Sequence, residues 1–372
     1  MRKSSIRNGQ SGFSLIELMI AVVLGLVVVG GIIAVLIASR KSYELQQGNN
    51  FNQQTLRFGM AQMDWSIRMA DFWGGIEKGS VFGSPATSGL GGSGSCNAAW
   101  VLDFKAGIRG YDGAASFPIT NCVDDANYVA GSDVVVVRYA DTKGYSPLTA
   151  DYKATTVPNR TSLFIAAGVG QQGYLFRQDE AVPQSPLGVN VGRYIYPYQL
   201  EMYYLSPCSV PGADGKCGTA DDGDVASRTP TLMRMRLDSS GALTSEALVD
   251  GVEQLQFEYA TGANVGGAWR PDDYVQAADL DAIGWTKVIA VRASMVARSQ
   301  IRDVSLPQKT TRYDLSAHCA YTVSAAGVVS FPTLPDTNVC SDTPPSAFGD
   351  KPQQFTRAIS TNIVQIRNRV RG

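Results

Sequence analysis

Few residues in this chain are of the types that carry out enzyme chemistry. The single histidine, His318, stands beside Cys319. Adjacent side chains seldom face one another, and a disulfide-bonded cysteine is not a nucleophile. The scarcity of histidine also removes the usual general base and the usual zinc ligand. We find no nucleophile motif, zinc-ligand spacing or phosphate-binding loop, so the residue types argue against an enzyme.

Six cysteines follow one another as three neighbouring pairs along the chain. Sequence alone leaves their connectivity open. An even number of cysteines in an exported chain indicates an oxidising compartment, and we expect export because of the N-terminal segment described below. We expect each pair to close a loop and to contribute about 2–4 kcal/mol. The expected pairs are Cys96 with Cys122, Cys208 with Cys217, and Cys319 with Cys340.

The one acidic cluster lies in residues 213–224, ADGKCGTADDGD. Calcium requires several oxygen ligands in a tight loop, but an EF-hand register starting at the first aspartate puts Lys216 at the third position. We expect a solvated turn closed by a disulfide and no cofactor. The alternative is a nonstandard Ca²⁺ loop. Its ligands would be Asp214, Asp221, Asp222 and Asp224.

The overall composition is that of a folded protein with balanced charge. Hydrophobic residues make up 44% of the chain and charged residues 17%, and 32 Lys+Arg against 33 Asp+Glu give a formal net charge of −1. No global field would attract nucleic acid, which is therefore not an expected partner. The 372 residues suffice for one large domain or two ordinary ones.

Near the N-terminus, residues 13–38 form an apolar run in which Glu17 is the one ionisable side chain. As a helix the run would be about 39 Å long, enough for a bilayer core of about 30 Å. Flanking basic residues only slightly favour a cytoplasmic N-terminus. A secretory signal peptide would need a small-residue cleavage site after the run, and none is present. A plain anchor leaves Glu17 unexplained, because an acid inside a membrane helix is costly.

The segment GFSLIELMI, residues 12–20, resembles the processing site of the type IV prepilin superfamily. In that superfamily a membrane peptidase cuts after the glycine, the new N-terminal phenylalanine is N-methylated, and the acid at the fifth mature position is needed for assembly. The resemblance implies cleavage between Gly12 and Phe13, methylation of Phe13 and an assembly role for Glu17. Such a carboxylate would offset the desolvation of the Phe13 amine of a neighbouring subunit.

Beyond the membrane the pattern predicts that the same helix continues until Gly74-Gly75 ends it. Apolar residues recur at helical spacing in two stripes, which is the long-helix pattern of pilins. We interpret both stripes as core. The first stripe is Leu56, Met60, Met63, Ile67 and Ala70, and the second is Phe51, Phe58, Trp65, Met69 and Phe72.

The remaining sequence predicts a head that is mainly antiparallel β-sheet. Together with the prepilin resemblance, this gives an expected α+β, pilin-like fold, in which a long N-terminal hydrophobic helix packs on the sheet and disulfides close the loops. Residues 206–230 and 314–354 are expected to be loops. The candidate strands are 133–139, 162–166, 194–205, 232–237, 252–259, 287–297 and 355–370. The expected organisation is a leader at 1–12, a transmembrane half-helix at 13–38, an amphipathic half-helix at 39–73, a Gly/Ser-rich loop at 74–100 and the head at 101–372.

Three later blocks, 248–259, 285–298 and 366–369, resemble the PilW minor pilins, and more distantly the J-type minor pseudopilins of type II secretion. The PilW resemblance implies an inner-membrane protein with a periplasmic head that later enters the pilus, which serves adhesion and twitching motility. Its implied partners are other minor pilins, the major pilin, a tip adhesin, the prepilin peptidase and inner-membrane lipid.

Two other classes stay open from the residues alone. A membrane-anchored periplasmic enzyme could use paired carboxylates, which leave no sequence motif. A DNA-capture pilin or surface adhesin could use Arg367, Arg369 and Arg371, which alternate along the last predicted strand. We interpret these arginines as one solvated or intersubunit face.

Overall fold

The computed structural model describes residues 12, 14–149, 151–153, 162–184, 192–222, 229–335 and 337–370. The chain divides into two compact units, Met1–Gln47 and Gly48–Gly372, here called the N-terminal unit and the head unit. The α-helices of the described residues are α1 (Leu15–Met69), α2 (Ala98–Val101) and α3 (Ala282–Lys287).

Fifteen strands lie in the described part of the head unit. They are β1 (Val81–Phe82), β2 (Ile108–Tyr111), β3 (Val134–Ala140), β4 (Leu163–Ala167), β5 (Gly173–Arg177), β6 (Tyr194–Ser206), β7 (Thr231–Leu237), β8 (Leu243–Asp250), β9 (Val252–Val265), β10 (Ala268–Val275), β11 (Val288–Arg298), β12 (Thr311–Ser316), β13 (Cys319–Val323), β14 (Val329–Ser330) and β15 (Arg357–Gln365).

Helix α1 is the longest element and belongs to both units. In the N-terminal unit all its side chains except the partly buried Leu45 are exposed, including the large apolar ones from Leu15 to Ile37. By length and composition, α1 is the one helix in the described residues that could cross a membrane. The helix ends at Met69, earlier than the predicted stop at Gly74-Gly75. The chain already turns at Asp71, whose φ of 60° is left-handed and does not continue a helix.

The largest sheet has eight strands and is built around β6. Its main path runs β1-β5-β4-β6-β3-β2, and β7 pairs with β6 and in turn with β8. All pairs are antiparallel except β1 with β5. Strand β6 is long enough for its first residues to pair with β4 and its last residues with β7, so it connects the two halves of the sheet.

Two smaller antiparallel sheets complete the head unit. Four strands form the order β10-β9-β11-β15, and three form the order β12-β13-β14. The three-stranded sheet begins at Thr311 and ends at Ser330, so the prediction of a loop over 314–354 was wrong there. A cluster of buried side chains that includes Leu315, Tyr321 and Phe348 covers Val296 of β11 and explains how this segment folds.

The head-unit part of α1 packs into a core shared by the eight-stranded and four-stranded sheets. All five residues of the first predicted stripe are buried in this core with side chains of both sheets. Gly59 allows close packing here, because a Cβ at this position would lie 3.0 Å from Met295 Cε and 3.2 Å from Leu232 Cδ2. The second stripe is not core throughout. Phe58 and Trp65 are 45% and 56% exposed.

Each of the seven predicted strand regions contains a strand, although their ends differ. The last region was predicted to extend to Val370, but β15 ends at Gln365 and residues Arg367–Arg369 form a 3-10 turn. The long N-terminal apolar helix, the mostly antiparallel sheets and three disulfides confirm the predicted fold class.

Candidate assembly site

The predicted processing junction is at the start of the N-terminal unit. Gly12 precedes the helix without secondary structure. Phe13, which would become the methylated N-terminus, lies outside the described residues, as does the leader before Gly12. Helix α1 begins two residues after Phe13, at Leu15, so cleavage after Gly12 would leave only Phe13 and Ser14 ahead of it.

Glu17 lies in the first turn of α1 and forms a capping box with Ser14. The Ser14 main-chain N–H donates to Glu17 Oε2 at 3.0 Å, and the Glu17 N–H donates to Ser14 Oγ at 3.2 Å. Each side chain satisfies a main-chain donor of the other residue, and the helix dipole favours a negative charge at this end. The Ser-x-x-Glu spacing before an apolar run is a known signal for the start of a helix, and it was not among the features predicted from the sequence. The capping box therefore fixes the position of Glu17 within a single chain, without a contact from a neighbouring subunit.

A polar network fixes the other end of α1 against the large sheet. Ser66 contacts both Glu201 and Tyr203 of β6, with 2.8 Å between Ser66 Oγ and the Tyr203 hydroxyl. The Tyr203 hydroxyl donates to Glu201 Oε2 at 2.7 Å. Burial raises the pKa of Tyr203 well above its ordinary value, and the Glu201 carboxylate raises it further, so the hydroxyl keeps the proton that it donates.

Arg234 of β7 completes this network from the neighbouring strand. Its Nη1 lies 3.4 Å from Glu201 Oε1, and its Nε donates to Glu246 Oε1 at 2.7 Å. Although burial opposes the charged form, the nearby Glu201 and Glu246 raise the pKa of Arg234. A buried polar network with several matched partners specifies one arrangement, so Ser66 keeps the head-unit part of α1 in a fixed register on the sheet.

The C-terminal arginines do not alternate along a strand as predicted. Arg369 Nη1 donates to the carbonyl oxygens of Trp285 and Val288, at 2.7 and 2.9 Å, and its Nε contacts Asp71. Arg367 is exposed, and Arg371 lies outside the described residues. The prediction that the three arginines form one solvated face is therefore wrong. The side chain of Arg369 is only 8% exposed, and it connects the C-terminal turn to α3 and to the segment after α1.

The cysteines are joined in the three sequential pairs expected from the sequence. The bridges are Cys96–Cys122, Cys208–Cys217 and Cys319–Cys340. The last of these fastens β13 to the turn at Val339–Asp342. It also occupies the sulfur next to His318, which removes the Cys-His nucleophile considered above.

The acidic loop uses its described carboxylates to hold its own backbone. Asp221 Oδ2 accepts the Ala213 N–H at 2.7 Å, Asp222 Oδ2 accepts the Gly218 N–H at 2.8 Å, and Asp214 Oδ1 accepts the Lys216 N–H at 2.9 Å. The Thr219 hydroxyl lies 2.8 Å from Asp221 Oδ1 and 3.1 Å from Asp222 Oδ1.

A hydrogen bond from Thr219 is the main cause that lowers the pKa of Asp221. No group of three His, Cys, Asp or Glu side chains in the described residues is arranged to hold a metal. The fourth calcium candidate, Asp224, lies outside the described residues.

Two families of known proteins match parts of this chain. Residues 218–368 match the family described as type IV pilus-assembly protein W, PilW, and residues 7–38 match the prokaryotic N-terminal methylation motif. The second match contains the junction and Glu17. Together they support placing the chain in the type IV pilin superfamily as a PilW-like protein, as the sequence predicted.

The chain is also similar to a solved type IV-like pilin from Thermus thermophilus. The identity is 13% and the TM-score 0.25, over 65% of this chain and 82% of that chain. No protein among the curated sequences matches the chain.

Proposed function

We propose that this PilW-like chain is a minor pilin that primes type IV pilus assembly with other minor pilins and then joins the major pilin, near the tip and its adhesin. The observation that carries the proposal is Glu17, the one acid in the apolar run of residues 13–38, which lies directly after a methylation-type processing junction. The motif and α1 support membrane anchoring, and the pilin-family matches support a structural, non-enzymatic role.

The chemistry begins with processing. Cleavage after Gly12 by a prepilin peptidase would create a cationic amine on Phe13 at the edge of the inner-membrane lipid. A charge in this poorly solvated place is costly unless an opposite charge is near. The Glu17 carboxylate of a neighbouring subunit can supply that charge, and the fixed position of Glu17 at the helix start would set the axial register between subunits.

The apolar residues of α1 then supply contact area. The exposed large side chains from Leu15 to Ile37 can pack against lipid before assembly and against other apolar helices after it. In the head unit, Phe58 and Trp65 lie seven residues apart on α1 and remain exposed. Two turns of helix separate them, so they share one face, and we assign this face to contacts with neighbouring pilins.

The minor pseudopilin of type II secretion is the nearest alternative. The match of residues 218–368 to PilW supports the pilus over the secretion system. Deletion of the gene followed by complementation distinguishes the two. We expect loss of surface pili with normal secretion, and restoration of pili by the wild-type chain. Loss of secretion with normal pili would contradict the proposal.

A further inference from the structure

Strand β15 forms one edge of the four-stranded sheet. In the described residues it pairs with β11 and with no other strand. Its residues 358–365, AISTNIVQ, include no charged residue and no proline, and its register with β11 is regular throughout. A flat edge of this kind presents unpaired N–H and C=O groups that can pair with another strand.

The other described sheet edges carry features that oppose such pairing. Strand β10 contains Pro271, two aspartates and a register shift, and β8 carries Glu246 and Asp250. Strand β12 carries Arg312 and Asp314, while β1, β2 and β14 have four residues or fewer. Charges, prolines, irregularities and short length are the usual protections of an edge, and β15 has none of them over 358–365.

The hydrogen bonds to β11 determine which β15 residues face the open edge. Ile366 N–H donates to Ile289 O, and Ser299 N–H donates to Thr356 O, both at 2.9 Å. Since antiparallel pairs alternate, the even-numbered residues from 356 to 366 bond to β11. The odd-numbered residues from Arg357 to Gln365 therefore direct their N–H and C=O groups away from it.

These odd-numbered residues also form a self-complementary pattern centred on Thr361. Ile359 and Ile363 lie two residues before and after it, and they are 40% and 56% exposed on the same face. If a second β15 pairs antiparallel about Thr361, each Ile359 stands opposite Ile363 of the other copy, and Thr361 stands opposite Thr361. Arg357 stands opposite the neutral Gln365, and its own charge is held by the buried Glu253. No like charges oppose one another.

We propose that the β15 edge pairs with β15 of a second copy of this chain, joining the two four-stranded sheets into one. Every odd-numbered residue meets an odd-numbered residue, so each opposing pair exchanges two hydrogen bonds. Apolar β-branched pairs such as Ile359 with Ile363 stabilise antiparallel strands. This pairing goes beyond the proposed function. In this pair the two β15 strands run in opposite directions, whereas the proposed pilus assembly packs the long helices in one direction. The two copies must therefore separate before they enter that assembly.

Cysteine cross-linking of the full chain in detergent tests the register. In the proposed pair the two Thr361 Cα atoms would be about 5.5 Å apart, within the range that a disulfide spans. All six native cysteines are paired in the structure, so Thr361→Cys adds one free thiol. We expect rapid formation of a reducible dimer under mild oxidation. The matched control is Thr244→Cys, an exposed threonine on the charged edge strand β8, which should stay monomeric.

The association state of the same preparation provides a second, independent test. We expect the wild-type chain to show a concentration-dependent dimer by light scattering, and Thr361→Lys and Ile363→Lys to be monomeric, since each introduces charge at the edge. Far-UV circular dichroism must show that both variants fold. A monomeric wild type, a dimer that survives both lysine variants, or equal cross-linking of Thr361→Cys and Thr244→Cys would overturn the proposal.

Discussion

Arg369 donates a hydrogen bond to the carbonyl oxygen of Trp285 across 84 residues of sequence. The same guanidinium contacts Asp71, just after the end of α1. It therefore connects the C-terminal turn, the end of α3 and the segment that leaves the long helix. This contact makes Arg369 a structural residue of the head unit, where the sequence suggested an exposed arginine for phosphate or for a neighbouring subunit.

Replacement of Arg369 should destabilise the head unit. Arg369→Ala leaves Asp71, whose side chain is 7% exposed, without its partner, and a charged group left buried costs about 3–5 kcal/mol. Lysine cannot reproduce the forked donor geometry, so Arg369→Lys should recover only part of the loss. The exposed Arg367 supplies a matched control, and Arg367→Ala should change the free energy of unfolding by less than about 0.5 kcal/mol. Denaturant unfolding followed by tryptophan fluorescence measures all three, and equal stabilities would contradict this role.

The three disulfides should stabilise loops without serving any reaction. Replacing both cysteines of one bridge by serine is expected to lower the free energy of unfolding by about 2–4 kcal/mol. The loss should be smallest for Cys208–Cys217, which closes the shortest loop, with a sequence separation of 9 against 21 and 26. Non-reducing peptide mapping checks the pairing. A peptide joining Cys96 to Cys319 or Cys340 would refute it.

Calcium is expected to leave the stability of the head unit unchanged. The described carboxylates of the acidic loop already accept main-chain N–H groups. The melting temperature should therefore be the same in excess Ca²⁺ and in chelator. A rise with Ca²⁺ that Asp221→Asn abolishes would instead establish the nonstandard calcium loop.

Processing is expected after Gly12. Mass spectrometry of protein purified from the membrane should find a mature chain that starts at N-methylated Phe13. A chain that starts at Met1, or beyond Ala38, would contradict the prepilin assignment. Substitution of Gly12 should block cleavage while leaving membrane insertion intact, because α1 starts after this residue.

Ser14 should contribute to assembly through the position of Glu17. Ser14→Ala removes the oxygen that accepts the Glu17 N–H, and loss of an N-cap costs a helix about 1 kcal/mol. The Glu17 charge remains. Co-purification with other minor pilins should therefore fall less for Ser14→Ala than for loss of the charge itself, and Ser14→Thr should behave as the wild type. A Ser14→Ala defect as large as that of Glu17→Leu would assign Ser14 a direct role in docking.

Sequence predicted the elements whose signals are local. The methylation motif, the buried stripe from Leu56 to Ala70 and the strands rich in Val and Ile depend on neighbours within a few turns or residues. Periodicity could not tell that Phe58 and Trp65 would stay exposed, because an apolar stripe has the same spacing whether the head or a partner covers it. Strand β12 mixes charged and apolar residues, and β13 has only five residues. Both signals are weak, and the sequence from residue 314 onward was predicted to be a loop.

In the candidate site, too, the features with local sequence signals could be predicted and those formed by distant residues could not. Glu17 is identified by its isolation in an apolar run, and the capping box has a four-residue signature that sequence could have found. The contacts of Arg369 join residues 84 and 298 positions away, so no local pattern points to them. The polar network of Ser66, Glu201 and Tyr203 depends likewise on the packing of α1 against β6.

The most direct test of the account is assembly of Glu17→Gln. Glutamine at this position can still serve a capping box with Ser14, so the variant removes the charge and keeps the helix start. Glu17→Leu removes both the charge and the capping side chain. Glu44→Gln is the control, since Glu44 is an exposed acid on the same helix and pairs with Arg40 at 3.0 Å. Co-purification with other minor pilins should fall strongly for Glu17→Gln and Glu17→Leu but stay unchanged for Glu44→Gln, while all three insert, are processed and keep a folded head unit. Normal co-purification and piliation with Glu17→Leu would show that charge pairing by Glu17 does not drive assembly.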